Sequence, residues 1–242
     1  MSGTLLQAWQ AVANHPLFWV GVTLAAYQLG VALYQRTKLA VFHPVLVSTA
    51  VLVLVILAAG QDYAHYREAV QPLQVLLGPA TVALAVPLYM NFRRIRSYFW
   101  PVLICLLVGG TLATVLAVLL AWLLGAEPMI MMTLAPKSVT SPIAMLVAEQ
   151  IGGVAALAAV FVMFTGVLGA IFGPMLLRLC GVDHPAAWGM AMGLTAHAVG
   201  TSRALEEGEE AGAFSALAMS LMGTATALLL PLAVSLWMVF QG

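Results

Sequence analysis

Residues 134–145 read LAPKSVTSPIAM. Two prolines, Pro136 and Pro142, enclose Lys137 and the hydroxyl residues Ser138, Thr140 and Ser141. Mostly apolar runs, MIMMTL and LVA, hug both sides. Each proline lacks an N–H and interrupts the helical ladder. Freed backbone groups at membrane depth must face protein or a wet cavity. Pro142 suits the first turn of a new helix, with Ser141 as its N-cap. That helix start would aim free N–H groups at an anion. Lys137, Ser138, Thr140 and Ser141 would complete the cradle. The plainer alternative is a surface loop with Lys137 as an interfacial anchor.

The whole chain explains why membrane depth is in question. Of 242 residues, 63% are apolar and 7% charged, with mean hydropathy +1.03. A soluble domain carries about 25% charged residues. Nine basic and nine acidic residues cannot cover a water-facing surface. A soluble globule and a nucleic-acid binder are excluded, the second also by zero net charge. Cys105 and Cys180 match no zinc or redox spacing and read as buried, quiet thiols. Residues 1–15 lack Lys and Arg, so the first apolar run has no signal-peptide flank and reads as a permanent span.

A spanning helix needs about 20 apolar residues. The expected fold is an all-α polytopic membrane protein forming a single integral membrane domain, 1–242. Its segments are 16–35, 39–60, 72–90, 101–125, 129–149, 151–177, 185–202 and 214–240, about eight in all. Helix breaks are expected at Gly78-Pro79, Pro87, Pro136, Pro142 and Gly200. Arg36 and Lys38 make one basic joint, and Arg93, Arg94 and Arg96 another. Basic loops stay cytoplasmic. Segment 129–149 either crosses fully or forms a re-entrant hairpin. The hairpin keeps Arg178 inside and is favoured, with the N-terminus and Glu206–Glu210 outside and the C-terminus inside. A short internal match, Gly110-Thr111 with Gly223-Thr224, sets the basic loop opposite the acidic one. It suggests an inverted repeat of secondary-transporter type, with halves 16–125 and 128–240.

Gly189, Gly193, His197 and Thr201 recur every four residues and form one helical stripe. An intramembrane ionisable residue is a functional candidate. His197 would hold substrate or pass a proton, or else be a packed histidine bonded to a carbonyl. Ser202 and Arg203 follow the Gly200 break. Arg203 would bind a carboxylate bidentately or neutralise Glu206, Glu207 or Glu210. Those glutamates and Glu149 are candidates for coupling or gating, or solvated helix ends. Thr81, Tyr89 and Asn91 are the polar groups near the 72–90 segment, which is a broken span or a proline-kinked packing helix. No catalytic spacing, metal set or phosphate loop appears, so no enzyme is expected, and no cofactor beyond a coupling H⁺ or Na⁺.

The strings APKSVTSPIAM, LGPATVALAVPLY and HAVGTSRALEEGEEAGAFSALAM resemble the LrgB/CidB family of bacterial membrane proteins. FHPVLVSTA at 42–50 and IGGVAALAAVF at 151–161 extend the resemblance over roughly residues 25–240. It implies an antiholin-like protein of the bacterial inner membrane, partnered by a small LrgA/CidA-like membrane protein. It is also similar to part of the plastidial glycolate/glycerate translocator. The resemblance therefore implies small 2-hydroxy or 2-oxo monocarboxylates (glycolate, glycerate, lactate or pyruvate) as substrates. The competing expectation is a regulator of a holin-like partner and of murein hydrolase export, without transport of its own. A homo-oligomer, a dimer by preference, is expected; nucleic acid is not. In the transport reading, two candidate regions converge: Lys137–Ser141 with the helix from Pro142, and His197–Arg203.

Overall fold

The computed structural model describes residues 9, 11–37, 42, 44–76, 79, 82, 83 and 85–241, and every regular element among them is helical. The chain divides into two compact units after Ala83, inside the first of the two expected halves.

In the first unit, α1 (Pro16–Thr37) is a 22-residue apolar helix. It is followed by α2 (Pro44–Ala58), α3 (Tyr63–Ala69) and α4 (Gln71–Val75). Gly30 lets α1 touch α2, since a Cβ there would lie 3.0 Å from the Cα of Pro44. Buried Trp19 donates from Nε1 to the Ala13 carbonyl at 2.7 Å and stacks edge-on against Tyr66 of α3. At 15 residues, α2 is about 22 Å long. It bends by 118° into α3. Lys38, Gly78 and Thr81 lie outside the described residues, as does part of the expected start of segment 39–60. Within 72–90 the described residues form separate short helices rather than one span. Pro79 is helical, and Pro87 falls in the first turn of α5 (Ala85–Met90), where a missing N–H leaves nothing unsatisfied.

The second unit continues with α6 (Phe92–Ser97) and α7 (Phe99–Leu123), whose second turn widens into a π-bulge at Cys105–Gly109. Then come α8 (Pro128–Leu134), α9 (Ser141–Gln150), α10 (Ala155–Leu179), α11 (Pro185–Glu207) and α12 (Glu209–Gln241). Four described helices are long and apolar enough to cross a membrane: α1, α7, α10 and α12. The bent α2–α3 pair would make a fifth. Leu54, Leu57, Leu124, Phe164 and Leu179 are among the many large apolar side chains left exposed, as a lipid-facing surface requires.

Segment 185–202 is therefore not the expected span. In a continuous helix Gly200 would stand about 12 Å beyond Met192, and Ala204 about 24 Å beyond Trp188. Instead, a Cβ on Gly200 would collide with the Met192 carbonyl. Trp188, Met192 and Ala204 share one buried cluster, and the Arg203 guanidinium lies 5.9 Å from the Trp188 ring centroid. The chain reverses at His197 (φ 42°, ψ −129°), so α11 is a hairpin with arms 185–196 and 198–207. Segment 128–150 is likewise a hairpin. Thr133 of α8 meets the chain just past the end of α9: the Val154 N–H donates to Thr133 Oγ1 at 2.9 Å, and Gly153 leaves no room there for a Cβ. Ala135, Val147 and Ile151 share another buried cluster.

Two long-range ion pairs correct the expected sidedness. Arg94 Nε pairs with Glu210 Oε1 at 2.8 Å, and Arg178 with Glu207 at 3.6 Å. Arg203 pairs with Glu206 and Glu207. The 93–96 and 206–210 segments thus share one face, which removes the charge argument for setting Arg93 opposite Glu206. The break in α11 lies at His197, not Gly200. Cys105 and Cys180 are exposed rather than buried.

Candidate functional site

The two hairpins enter from opposite ends of the second unit. The N-cap of α7, Tyr98, lies beside His184 and Phe214, and Gly110 then lies against Met222. α7 and α12 therefore run side by side in one direction, away from the Arg94–Glu210 face. α8 turns back after Gly125 (φ 77°), so the first hairpin opens on the far face. The second opens on the Arg94–Glu210 face, where Arg178 and Glu207 meet.

The tips converge. Val139 and Ala144 from the first hairpin, Val162 of α10, Leu194 of the second hairpin, and Ala218 and Met222 of α12 belong to one buried cluster. Lys137 lies within Coulombic reach of the His197 imidazole. Its ammonium donates to Ser138 Oγ at 3.1 Å, and Ser138 is buried. Thr140 is the N-cap of α9 in extended conformation (φ −68°, ψ 148°), with no side-chain capping bond. Ser141 opens the helix and Pro142 sits in its first turn, so the expected cap moves by one residue. The proline begins the second helix of the interrupted segment, as expected. Pro136 is buried in the turn that joins α8 to α9.

His197 is 4% exposed and holds a left-handed backbone that strongly favours glycine. Strain of this kind costs about 1–3 kcal/mol and persists only where its surroundings enforce it. Those surroundings are visible. His197 Nε2 is 2.9 Å from the Val162 carbonyl oxygen. Gly166 of α10 underlies the ring, since a Cβ there would lie 2.7 Å from Cε1 and Nε2. Nδ1 is buried and has no partner among the described residues. Thr201 Oγ1 donates to the His197 carbonyl at 2.9 Å and meets Ser215 Oγ of α12 at 3.0 Å, strapping the tip to α12. Gly189 and Gly193 bring the first arm onto the α12 backbone at Ala211 and Ser215.

The remaining candidates lie elsewhere. Ser202 is exposed on the second arm. Arg203 serves Glu206 and Glu207 near the mouth of the hairpin. Glu149 is exposed at the end of α9, on the face away from the other glutamates. Tyr89 is exposed outside the cluster, and Asn91 is a turn residue between α5 and α6. The described residues hold no group of three or more His, Cys, Asp or Glu that could bind a metal. Val162 and Gly166 were missed by sequence reasoning. The only signal for them was a glycine in a long apolar helix, common in membrane segments.

Each hairpin tip carries a helix start: that of α9 in the first and that of the 198–207 arm in the second. Each carries the positive end of a helix dipole. The family model for LrgB-like proteins matches residues 23–236. The chain belongs to the LrgB-like family. Among its relatives is the uncharacterized protein YxaC of Bacillus subtilis, 36% identical over 216 residues, covering 89% of this chain and 94% of that protein. An uncharacterized protein of Haemophilus influenzae is 34% identical over 210 residues, 87% of this chain and 91% of that one. The antiholin-like protein LrgB of Bacillus mycoides is 29% identical over 218 residues, 90% and 95% of the two chains. No solved structure matches this LrgB-like chain.

Proposed function

We propose that this LrgB-like protein is a secondary transporter or exchanger of small 2-hydroxy or 2-oxo monocarboxylates in the bacterial inner membrane. One observation carries the reading: two opposed hairpins whose tips carry two helix N-termini, the Lys137 ammonium and a buried imidazole nitrogen with no partner among the described residues, Lys137 being near enough for its charge to act on His197. Half-helix N-termini pointing at an anion near the midplane are a recurring device of transporters. A buried carboxylate needs such donors, because leaving it unpaired in low dielectric is prohibitive. Lys137 supplies the counter-charge, Ser138 and Thr140 the hydroxyls, and His197 orients the ligand. The pairing of each hairpin with the long helix after it, 128–179 with 185–241, is the inverted unit we favour over the 16–125 and 128–240 halves. Arg93, Arg94, Arg96 and Arg178 mark the cytoplasmic face by the positive-inside rule. With α11 returning to that face, α12 carries the C-terminus outside, reversing the expected orientation. An H⁺ or Na⁺ would couple the flux. A dimer is the assembly we favour.

A second reading rests on relatives named antiholin-like protein LrgB, at 28–29% identity. There the protein would regulate a small LrgA-type membrane partner and carry nothing. Purified protein in liposomes, assayed for uptake of labelled glycolate, glycerate, lactate and pyruvate, separates the two. Saturable uptake whose apparent KM rises in Lys137→Gln supports transport. Absence of uptake of all four acids, with the protein folded, rejects it.

A further inference from the structure

We infer that His197 is a specificity-determining residue that selects 2-hydroxy over 2-oxo acids through a hydrogen bond accepted at Nδ1. The inference rests on the carboxylate reading and narrows it.

A backbone carbonyl only accepts, so the 2.9 Å contact from Nε2 to the Val162 oxygen puts the ring hydrogen on Nε2. A second hydrogen on Nδ1 would create a buried cation within reach of the Lys137 ammonium. The arginine–glutamate pairs lie at the mouth of the hairpin, and among the described residues no carboxylate is bonded to the imidazole. Nδ1 therefore holds a lone pair, and it has no donor among the described residues. A buried acceptor without a donor is costly.

The hydroxyls that strap the tip to α12 are already engaged in other bonds. Thr201 spends its hydrogen on the His197 carbonyl, and Ser215 is engaged with Thr201. The fitting ligand brings a donor of its own beside its carboxylate. A 2-hydroxy acid has one, and the matching 2-oxo acid has only acceptors. Lactate against pyruvate, and 2-hydroxybutyrate against 2-oxobutyrate, isolate that difference at constant charge and nearly constant size. Sites built to bond a hydroxyl reject the analogue lacking it, because the site's polar group stays unpaired. One unpaired neutral acceptor corresponds to a preference of about 10- to 100-fold.

The strained backbone supports this role. Glycine would make the same reversal without strain, so the fold alone does not require an imidazole at residue 197. Gly166 clears the space the ring occupies.

The test is counterflow in liposomes with labelled lactate, competed by each of the four acids. Wild-type protein should favour the hydroxy member of each pair by about 10-fold or more. His197→Gln keeps an amide N–H for the Val162 carbonyl and removes the acceptor at the Nδ1 position. It should bring the ratio close to one while pyruvate flux persists. His197→Asn restores an acceptor near the Nδ1 position and should recover part of the preference. Imidazole nitrogen NMR adds a readout independent of flux: Nδ1 should be of the unprotonated type and should shift with lactate but not with pyruvate. Equal inhibition by both members of each pair in the wild type overturns the inference and leaves carboxylate transport standing. So does an unchanged ratio in His197→Gln. Absence of flux for all four acids overturns the carboxylate reading, and this inference with it.

Discussion

The two hairpins solve the same geometric problem with different chemistry. The first turns over several residues, 135–140, between a buried Pro136 and the extended cap Thr140. The second reverses at one residue, His197, which takes the strain itself. The first carries its charge at the tip, on Lys137. The second keeps its charges at the mouth, where Arg203 and Arg178 meet Glu206 and Glu207. A loop with spare residues can present a flexible cation. A single-residue reversal can only present what is locked into it. The first hairpin thus supplies charge and the second supplies orientation.

The largest expected effect breaks the docking of the second hairpin. A side chain at position 193 would drive into the Ser215 carbonyl and the Ala218 methyl. Gly193→Val should cost about 3 kcal/mol and empty the folded fraction, read by fluorescence-detected size exclusion. Next come the tips. His197→Gly should lower flux and remove the preference for hydroxy acids, yet keep thermal stability within about 1 kcal/mol of wild type, because relief of strain offsets the lost ring contacts. Lys137→Gln keeps a donor for Ser138 and removes the charge. It should raise the apparent KM about 10- to 100-fold at unchanged yield. If both variants lose yield rather than flux, the division of labour between the tips fails.

Sidedness gives a yes-or-no measurement. Arg94→Cys with Glu210→Cys, in a background lacking Cys105 and Cys180, should be bridged by a short bis-maleimide cross-linker. If the two positions instead take impermeant label from opposite sides, the shared face is wrong. The smallest effects are at the hairpin mouth. Arg203→Gln should lower stability by about 1 kcal/mol and leave flux per folded molecule unchanged. Arg178→Gln, whose partner is 3.6 Å away at an exposed site, should change stability by less than about 0.5 kcal/mol.

These differences also explain what could be read in advance. Pro136, Lys137 and Pro142 interrupt an apolar run with residues that resist burial, so the first hairpin is legible in the sequence. The second is hidden. Its stripe of Gly189, Gly193, His197 and Thr201 has helical spacing, and the two glycines and Thr201 do pack on α12. The same spacing conceals the reversal, because the turning residue is neither glycine nor proline. Gly200 drew attention three residues late, since its part is to clear the Met192 carbonyl after the turn is made. Local preference points to where a chain bends easily. Here the Val162 carbonyl and the Gly166 clearance, distant in sequence, force the bend elsewhere. Arg203 was ambiguous for a related reason. Helical spacing from Glu206 and Glu207 was visible, but only the position of the tip decides whether it reaches substrate.

The π-bulge of α7 sets the phase of that helix. From Val102 to Gly110 a regular α-helix would rotate about 800°, leaving Gly110 some 80° away from the face of Val102. Absorbing one residue at Cys105–Gly109 reduces the turn to about 700°, some 20° short of two full turns. Val102 thus faces Phe214 while Gly110 meets Met222, along one line of α12. In length, α7 contains a supernumerary residue. Removing one position between Cys105 and Gly109 would restore a uniform helix without changing which side chains face inward. Removing one from 111–123 would swing everything beyond it by about a quarter turn into lipid. The history of this helix is therefore open to a single-residue deletion at one place only.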